Sequence, residues 1–293
     1  MYHVEHVREG RSFATRTVQA RQRGQPIFTT TLSFMREGSG GKEKVQHSAS
    51  MPSVPGPEAE AEDVFRGANS PFVSQRIEIV KDSDGKPHEK RTRQWIKARG
   101  TISEEGGHQA HLSALAYMSD SYFIGTVGRV HKLWRYAGSK PASSKVGDAK
   151  KKEEGGFGIT AETIRKLQAM DPETLRRVEG MDEDVIAQLK SVVVGANGEI
   201  EWKEQRRSEI GMMVSLDHTI YFHNPRDFRA DEWMFTEMES PWAGDGRGLV
   251  FQRIYSREGV LIASCVQEVR HSSSRSGIAM LERADTINRV WCD

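Results

Sequence analysis

The stretch DGRGLVFQRIYSREGVLIASCVQEV, residues 245–269, decides the fold because its pattern also occurs near the start of the chain. The earlier copy is EGRSFATRTVQARQRGQPIFTTTLSF, residues 9–34. Each copy has an acidic residue, Gly and Arg, then strand residues, an Arg at a Gly turn, and an apolar strand. The same antiparallel hairpin is therefore expected twice, which indicates an internal duplication.

The second hairpin is preceded by more elements than the first. RTRQWIKARG is strand-like, a helix follows in LSALAYMSD, and MMVSLDHTIYFHN and DEWMFTEMES are further strands. The first hairpin is preceded only by the strand YHVEHVRE. We therefore expect an α+β protein built from a duplicated unit, in which an antiparallel sheet surrounds a helix and the first unit is incomplete.

The composition along the chain divides it into segments. Residues 37–90 are predicted to be a linker, since Gly, Ser, Pro, Lys and Glu dominate up to about residue 69. An insertion interrupts the second unit, and its first part, rich in Lys, Ser and Gly, is expected to be disordered. The predicted segments are the strands of the first unit at 1–36, the linker at 37–90, the second unit at 91–136 and 207–270, the insertion at 137–206, and an atypical tail at 271–293.

The second part of the insertion has a helical pattern. Its apolar residues recur at helical spacings, with Thr160 or Asp171 as N-cap and Pro172 at a first helical position. The residues that set the spacing are Ile164, Leu167, Met170, Leu175 and Val178. Paired short helices of this kind also occur in DNA-binding hairpins, but here the acidic residues offset the basic ones, which favours a surface insertion.

The overall composition excludes several classes of protein. Lys+Arg 42 against Asp+Glu 41 gives a net charge of +1, so no general field favours nucleic acid or an anionic membrane. Cys265 and Cys292 are too few for a disulfide framework and lack metal-ligand spacing. No apolar run reaches the ~18 residues of a membrane span, and MYHVEHVREG has no signal-peptide core. We expect an intracellular globular protein without cofactor or metal.

One carboxylate stands out in the helix LSALAYMSD. Asp120 shares a face with Leu112 and Ala116, because residues four apart stack on a helix. An ionised group on an apolar face costs free energy unless it is paired or hydrogen-bonded. Asp120 is therefore predicted to have a polar partner.

Two strands offer polar partners for a helix carboxylate. Gln267 is the one amide on the apolar face of the last strand, and Ser215 lies on a strand with Met213 and Asp217 on its face. A carboxylate, a hydroxyl and an amide that converge within an apolar shell can position a water molecule. The alternative is a buried polar network that only ties the helix to the sheet.

At this point the motifs become recognisable. HLSALAYMSDSYF, VSLDHTIYFHNP, DEWMFTEMESPWAGDGRGLVFQRIYSREGVLIASCVQE and REGRSFATRTVQARQRGQPIF together resemble the acyl-CoA thioesterase II family. The resemblance implies a double hotdog fold, with the first hotdog incomplete here, and leaves a homo-oligomer open. It also implies a peroxisomal location, although the chain does not end in Ser-Lys-Leu, and a cytoplasmic one is the alternative.

The same resemblance implies a reaction and a set of residues. In that family a water molecule attacks the thioester carbonyl of a fatty acyl-CoA, and the residues that hold it correspond to Asp120, Ser215 and Gln267. Asp120 is then the base, with Ser215 and Gln267 orienting the water. The absence of a Gly-x-Ser-x-Gly elbow argues against a serine nucleophile. The alternative is a catalytically inactive double-hotdog protein that binds acyl-CoA or a protein partner.

Other candidate residues have simpler explanations. Asp217 and His218 resemble an acid–base pair. Adjacent strand residues point to opposite faces, so a structural role near the site is favoured over acid–base catalysis. Arg129, Lys132 and Arg135 are candidates for the phosphates of coenzyme A, with a solvated face as the default explanation.

Overall fold

The computed structural model describes residues 1–39, 45–57, 70–81, 85–121, 123–131, 161–177, 183–195, 200–201 and 210–273. The chain divides into two units, Met1–Ser48 and Ala49–Asp293. Residues 137–160, where the insertion is predicted to be disordered, and most of the predicted atypical tail lie outside the described residues.

The first unit is a three-stranded antiparallel sheet. Its strands are β1 (Tyr2–Glu9), β2 (Phe13–Gln22) and β3 (Gln25–Met35), in the spatial order β1-β2-β3. Arg23 and Gly24 both have positive φ, 51° and 81°, between the paired Gln22 and Gln25. Two such residues form the tight turn whose twist suits a hairpin. The hairpin predicted for residues 9–34 is therefore confirmed.

The second unit contains the remaining elements. Its strands are β4 (Phe72–Val80), β5 (Arg91–Ala98), β6 (Val193–Val194), β7 (Ile200–Glu201), β8 (Ile210–Ser215), β9 (Thr219–Phe222), β10 (Met234–Gly244), β11 (Arg247–Tyr255) and β12 (Leu261–Ser273). Its helices are α1 (Gly107–Asp120), α2 (Gly125–Val130), α3 (Ala161–Ala169), α4 (Pro172–Arg177) and α5 (Glu183–Ser191). The main sheet has seven strands in the order β4-β5-β10-β11-β12-β8, and β9 also pairs with β12.

Strand β4 corrects the predicted linker. It pairs with β5 along most of its length, so part of residues 37–90 belongs to the main sheet. The apolar alternation of FVSQRIEIV is weak because Ser74 and Gln75 are buried polar residues between apolar ones. β12 likewise runs to Ser273, into the segment predicted as an atypical tail.

One face of the sheet packs against α1 and α2. Leu115 and Met118 of α1 are buried in a cluster with residues of β5, β10, β11 and β12. Helix α2 packs closely on the sheet where Val127 faces Gly248 of β11. Any residue larger than Gly would clash there, because a Cβ at position 248 would lie 2.6 Å from Val127 Cγ2. This arrangement fixes the end of α1 above β12.

The other face of the sheet has an aromatic cluster with its own cover. Trp95, Phe235 and Tyr255 are buried there, and Met51 and Val54 pack against them. Trp95 Nε1 donates a hydrogen bond to the Pro55 carbonyl at 2.9 Å. Residues near Met51 therefore cover the sheet, which is a second correction to the linker prediction.

The insertion forms a small helical cluster. Six buried residues of α3, α4, α5 and the residue after α5 pack together: Ile164, Leu167, Leu175, Ile186, Leu189 and Val192. Asp171 Oδ1 accepts a hydrogen bond from the Thr174 amide at 2.9 Å, so the predicted cap before Pro172 is confirmed. Thr160 and Val178 lie outside the described residues. Across the described ranges, no helix is long and apolar enough to span a membrane.

Candidate active site

Asp120, Ser215 and Gln267 meet at one carboxylate oxygen. Asp120 is the last residue of α1, and its Oδ1 accepts a hydrogen bond from Gln267 Nε2 at 2.5 Å. Ser215 Oγ lies 3.5 Å from the same Oδ1, at the long limit of a hydrogen bond. The structure therefore brings together the three residues that the sequence selected.

The register of β12 places Gln267 and Ser215 at this point. Alternate residues of the strand are buried, so Gln267 lies between Cys265 and Val269 on the helix-facing side. Val269 pairs with Ser215 of β8, which places Ser215 diagonally next to Gln267. The predicted position of Gln267 on an otherwise apolar face is confirmed.

The burial of Asp120 differs from the expectation. The buried face of α1 consists of His111, Leu115, Met118 and Ser119. Asp120 is exposed, and Leu112 and Ala116 on its face are only half-buried. The helix is therefore rotated relative to the predicted face, and Asp120 lies beside its buried stripe. The predicted polar partner is nevertheless present, because Gln267 donates to Asp120 Oδ1.

His218 is a member of the site that the sequence reasoning treated only as a structural neighbour. Its Nδ1 lies 3.4 Å from Gln267 Nε2, and its Nε2 lies 2.9 Å from Ser119 Oγ. Ser119 Oγ in turn donates to the Ala116 carbonyl at 2.9 Å. Asp217 turns elsewhere and accepts a hydrogen bond from the Glu268 amide at 2.7 Å. The expectation that Asp217 and His218 point apart is consistent with these contacts.

Burial controls the protonation of His218. Desolvation is the largest influence and lowers the pKa of His218 below its ordinary value, while the charges of Asp120 and Asp217 act in the opposite direction. The ring of Phe123 packs edge-on against the imidazole, with centroids 5.5 Å apart. The imidazole is therefore favoured in its neutral form near neutral pH.

Cys265 lies close to the same network but is not a nucleophile. Burial raises the pKa of its thiol to about 12, and a hydrogen bond with Ser119 opposes this only in part. A thiol with such a pKa has almost no thiolate at neutral pH. Cys265 therefore acts as a small buried packing residue beside Ser119.

His111 is a further buried polar residue of α1. His111 accepts a hydrogen bond from the Ala230 amide at 3.1 Å, which ties α1 to the segment before β10. Within the part of the chain that the structure describes, no group of three His, Cys, Asp or Glu residues has the geometry to hold a metal ion. Lys132 and Arg135 lie outside the described residues.

The fold and this site define a class of protein. An antiparallel sheet packed on one long helix is the hotdog arrangement, and two solved structures share it. A crystal structure of an acyl-CoA thioesterase II from Mycobacterium marinum matches with a TM-score of 0.53 and 23% identity, over 93% of this chain and 73% of that one. A tesB protein of Mycobacterium avium subsp. paratuberculosis matches with a TM-score of 0.54 and 17% identity, over 92% and 71%. The predicted α+β hotdog fold is confirmed.

Sequence comparison narrows the class to a family. Residues 48–270 match the model of the acyl-CoA thioesterase C-terminal domain, and residues 1–35 match the model of the N-terminal domain. The chain therefore belongs to the acyl-CoA thioesterase II family, as the motifs indicated.

Curated relatives agree with this assignment. The mouse and human acyl-coenzyme A thioesterase 8 are each 29% identical to this chain over 290 residues, covering 92% of it. The chain spans 66% of the length of these relatives. A shorter match is 44% identical over 59 residues to acyl-CoA thioesterase 2 of Haemophilus influenzae.

Proposed function

We propose that this protein hydrolyses fatty acyl-CoA to a free fatty acid and coenzyme A. One observation carries the proposal: Oδ1 of Asp120 accepts hydrogen bonds from both Gln267 and Ser215. A carboxylate held in this way by a buried amide has a fixed orientation, which a general base needs. Membership of the family supports the choice of an acyl-CoA thioester as substrate.

The proposed reaction uses a water molecule as nucleophile. Its oxygen attacks the thioester carbonyl carbon while Asp120 takes one of its protons. The carbonyl becomes an oxyanion, for which a backbone amide is the expected donor. When the tetrahedral intermediate collapses, the carbon–sulfur bond breaks, and the sulfur of coenzyme A leaves and takes up the proton.

The contacts give each residue a separate task. Among the described residues, hydrogen bonds reach the side chain of Asp120 only at Oδ1, so Oδ2 remains to accept the proton of water. Gln267 uses one amide hydrogen on Asp120 and the other toward His218, so its task is to fix the carboxylate. The exposed Ser215 hydroxyl both donates and accepts, and it orients the water.

The test is a direct assay with palmitoyl-CoA. We expect the purified chain to release coenzyme A, detected with a thiol reagent, together with one fatty acid per thiol. Cys265 is buried and its thiol pKa is raised, so we expect a low background from this residue. Binding of palmitoyl-CoA without release would contradict hydrolysis and favour the alternative of an inactive acyl-CoA-binding protein.

Location and assembly stay predictions within this proposal. The expected intracellular location, peroxisomal by the family resemblance with the cytoplasm as the alternative, is tested by cell fractionation. A homo-oligomer is tested by size-exclusion chromatography with light scattering.

A further inference from the structure

The contacts of Gln267 determine the protonation state of His218. The amide nitrogen of Gln267 has two hydrogens and no lone pair to share, so it only donates. One hydrogen is directed to Asp120 Oδ1 and the other to His218 Nδ1. Nδ1 must therefore be unprotonated, and the single proton of the neutral ring lies on Nε2.

The rest of the network fits this tautomer. Nε2–H of His218 donates to Ser119 Oγ, and the Ser119 hydroxyl donates to the Ala116 carbonyl. Each donor then has one acceptor, from Gln267 through the ring of His218 to the backbone of α1. The opposite tautomer would set a hydrogen on Nδ1 against the Gln267 amide and leave Nε2 as an acceptor.

A charged His218 breaks this arrangement. Protonation adds a hydrogen to Nδ1, which then faces the NH₂ group of Gln267. Rotating the amide by 180° would let Oε1 accept from Nδ1, but it would also turn Nε2 away from Asp120 Oδ1. In either case Asp120 loses the Gln267 donor and keeps only the longer contact with Ser215.

We propose that His218 is a positioning residue: its unprotonated Nδ1 holds the Gln267 amide so that the amide nitrogen fixes Asp120, and protonation of His218 releases Asp120. This inference rests on the proposed function, because it requires Asp120 to be the base. It adds a second titrating group to the site. Hydrolysis then falls in acid as His218 becomes charged.

The surroundings of the ring set the direction of this effect. Among the described residues, the charged groups that face it are Asp120 at the end of α1 and Asp217 beside it, and both favour the charged ring. Its other neighbours in the described ranges are uncharged: Ser119 of α1, Gln267 of β12 and the ring of Phe123. Burial outweighs the two carboxylates, so the pKa of His218 lies below its ordinary 6.5. The network therefore stays intact at neutral pH and is lost as the pH falls below that range.

The experiment compares two substitutions of His218 with a matched control. His218→Ala removes the acceptor, whereas His218→Asn offers a carbonyl oxygen near the place of Nδ1 that does not titrate. His223→Asn is the control, because His223 is an exposed histidine whose Nε2 lies 2.9 Å from Ser264 Oγ on β12. For each variant, kcat and KM for palmitoyl-CoA are measured from pH 5 to 8.5.

The expected results separate positioning from a merely structural role. His218→Ala should lower kcat about 10-fold or more at pH 7.5 with KM within about 2-fold, since a misplaced base slows the chemical step. His218→Asn should keep kcat within about 3-fold of wild type at pH 7.5 but lose less activity than wild type as the pH falls, because Asn does not titrate. His223→Asn should keep the wild-type profile. A wild-type kcat in His218→Ala, or an unchanged acid limb in His218→Asn, would overturn the proposal.

A spectroscopic measurement tests the tautomer without relying on turnover. In ¹⁵N-labelled protein at pH 7.5, the resonances of His218, assigned with His218→Asn, should show the proton on Nε2. In Asp120→Asn the pKa of His218 should fall further, because a carboxylate that favoured the charged ring is gone. A proton on Nδ1 would overturn the proposal. A wild-type protein that does not hydrolyse palmitoyl-CoA would overturn the proposed function. An active wild type whose kcat and pH profile do not change when His218 is substituted would overturn only this inference.

Discussion

Gln267 Nε2 donates to Asp120 Oδ1 at 2.5 Å and thereby joins the last strand of the sheet to the end of helix α1 across 147 residues of sequence. Gln267 is fully buried, whereas Asp120 is exposed. The buried amide therefore provides the fixed end of the contact, and Oδ2 of the exposed carboxylate has no hydrogen bond among the described residues.

Replacing Gln267 by Glu should neutralise the proposed base, Asp120, without changing the shape of the site. Two carboxylates at hydrogen-bond distance share a proton at neutral pH, because both cannot ionise so close together. We expect hydrolysis of palmitoyl-CoA at pH 7 to fall ~10²-fold or more, with a partial recovery at higher pH. The control is Gln109→Glu, at an exposed position of α1, the helix that ends at Asp120. A Gln267→Glu enzyme with wild-type turnover at pH 7 would show that the amide is dispensable.

Ser215→Ala should have a smaller effect. The hydroxyl lies at 3.5 Å from Asp120 Oδ1 and is exposed, so it contributes little to folding. We expect the free energy of unfolding in urea to change by less than ~0.5 kcal/mol, since exposed substitutions of this kind are nearly neutral. Turnover should fall about 10-fold because the water loses one of its partners. Ser113→Ala, at an exposed position of α1, is the control and should keep full turnover.

The regular elements could be predicted from the sequence because their burial follows a simple period. Alternation identified β5, β10, β11 and β12, and the helical period identified α1. Strand β4 was missed because buried Ser74 and Gln75 interrupt its apolar residues. The family motifs selected the three residues that meet at Asp120 Oδ1, whereas spacing alone left a structural network as an equal alternative.

Two features of the site could not be predicted, for physical reasons. The buried face of α1 includes two polar residues, His111 and Ser119. A prediction from the apolar residues alone therefore selected a different face of the helix and placed Asp120 on the buried side. His218 lies in the loop between β8 and β9, where no regular alternation of buried and exposed residues predicts the direction of a side chain. Its contacts with Gln267 and Ser119 depend on three separate elements, and only the folded chain reveals them.

The segment before α1 is bound to a buried carboxylate, because the Ile102 amide donates to Asp231 Oδ2 at 2.8 Å. Burial raises the pKa of Asp231, but hydrogen bonds from Arg229 and the Ile102 amide, with the charge of Arg229, outweigh it and lower the pKa. The Asp231 side chain is only 6% exposed, so Asp231→Asn should reduce the free energy of unfolding by about 1–3 kcal/mol at pH 7. Urea titrations of both proteins measure this, with Glu232→Gln as the exposed control.

The pH dependence of that loss has a definite sign. A carboxylate whose pKa is lowered on folding stabilises the protein above its unfolded value, which is 3.8 here, and stops doing so as the pH falls below that value. The difference between wild type and Asp231→Asn should therefore be constant from pH 7 to about 4 and shrink only in stronger acid. An equal stability of the two proteins at pH 7 would refute the role of this carboxylate.

Cys265 should be chemically silent in the folded protein. Burial raises the pKa of its thiol to about 12, so neither thiolate nor access is available to an alkylating reagent. After iodoacetamide treatment at pH 8, peptide mapping should find Cys265 unmodified in buffer and modified in urea. Folding raises the pKa of this thiol above its ordinary value of 9.0. The thiol therefore lowers the free energy of unfolding as the pH rises above 9.0, because it ionises more readily in the unfolded chain. Rapid alkylation in buffer would contradict the burial of this residue.

Asp120→Asn tests the central claim most directly. Asn keeps the shape of the side chain and an oxygen that accepts from Gln267 Nε2, but it cannot take a proton from water. We predict that kcat for palmitoyl-CoA falls ~10²-fold or more, while the melting temperature stays within ~2 °C of wild type. Asp227→Asn, at an exposed position before β10, should change neither quantity. Wild-type turnover in Asp120→Asn, or a parallel loss of turnover and thermal stability, would contradict the assignment of Asp120 as the base.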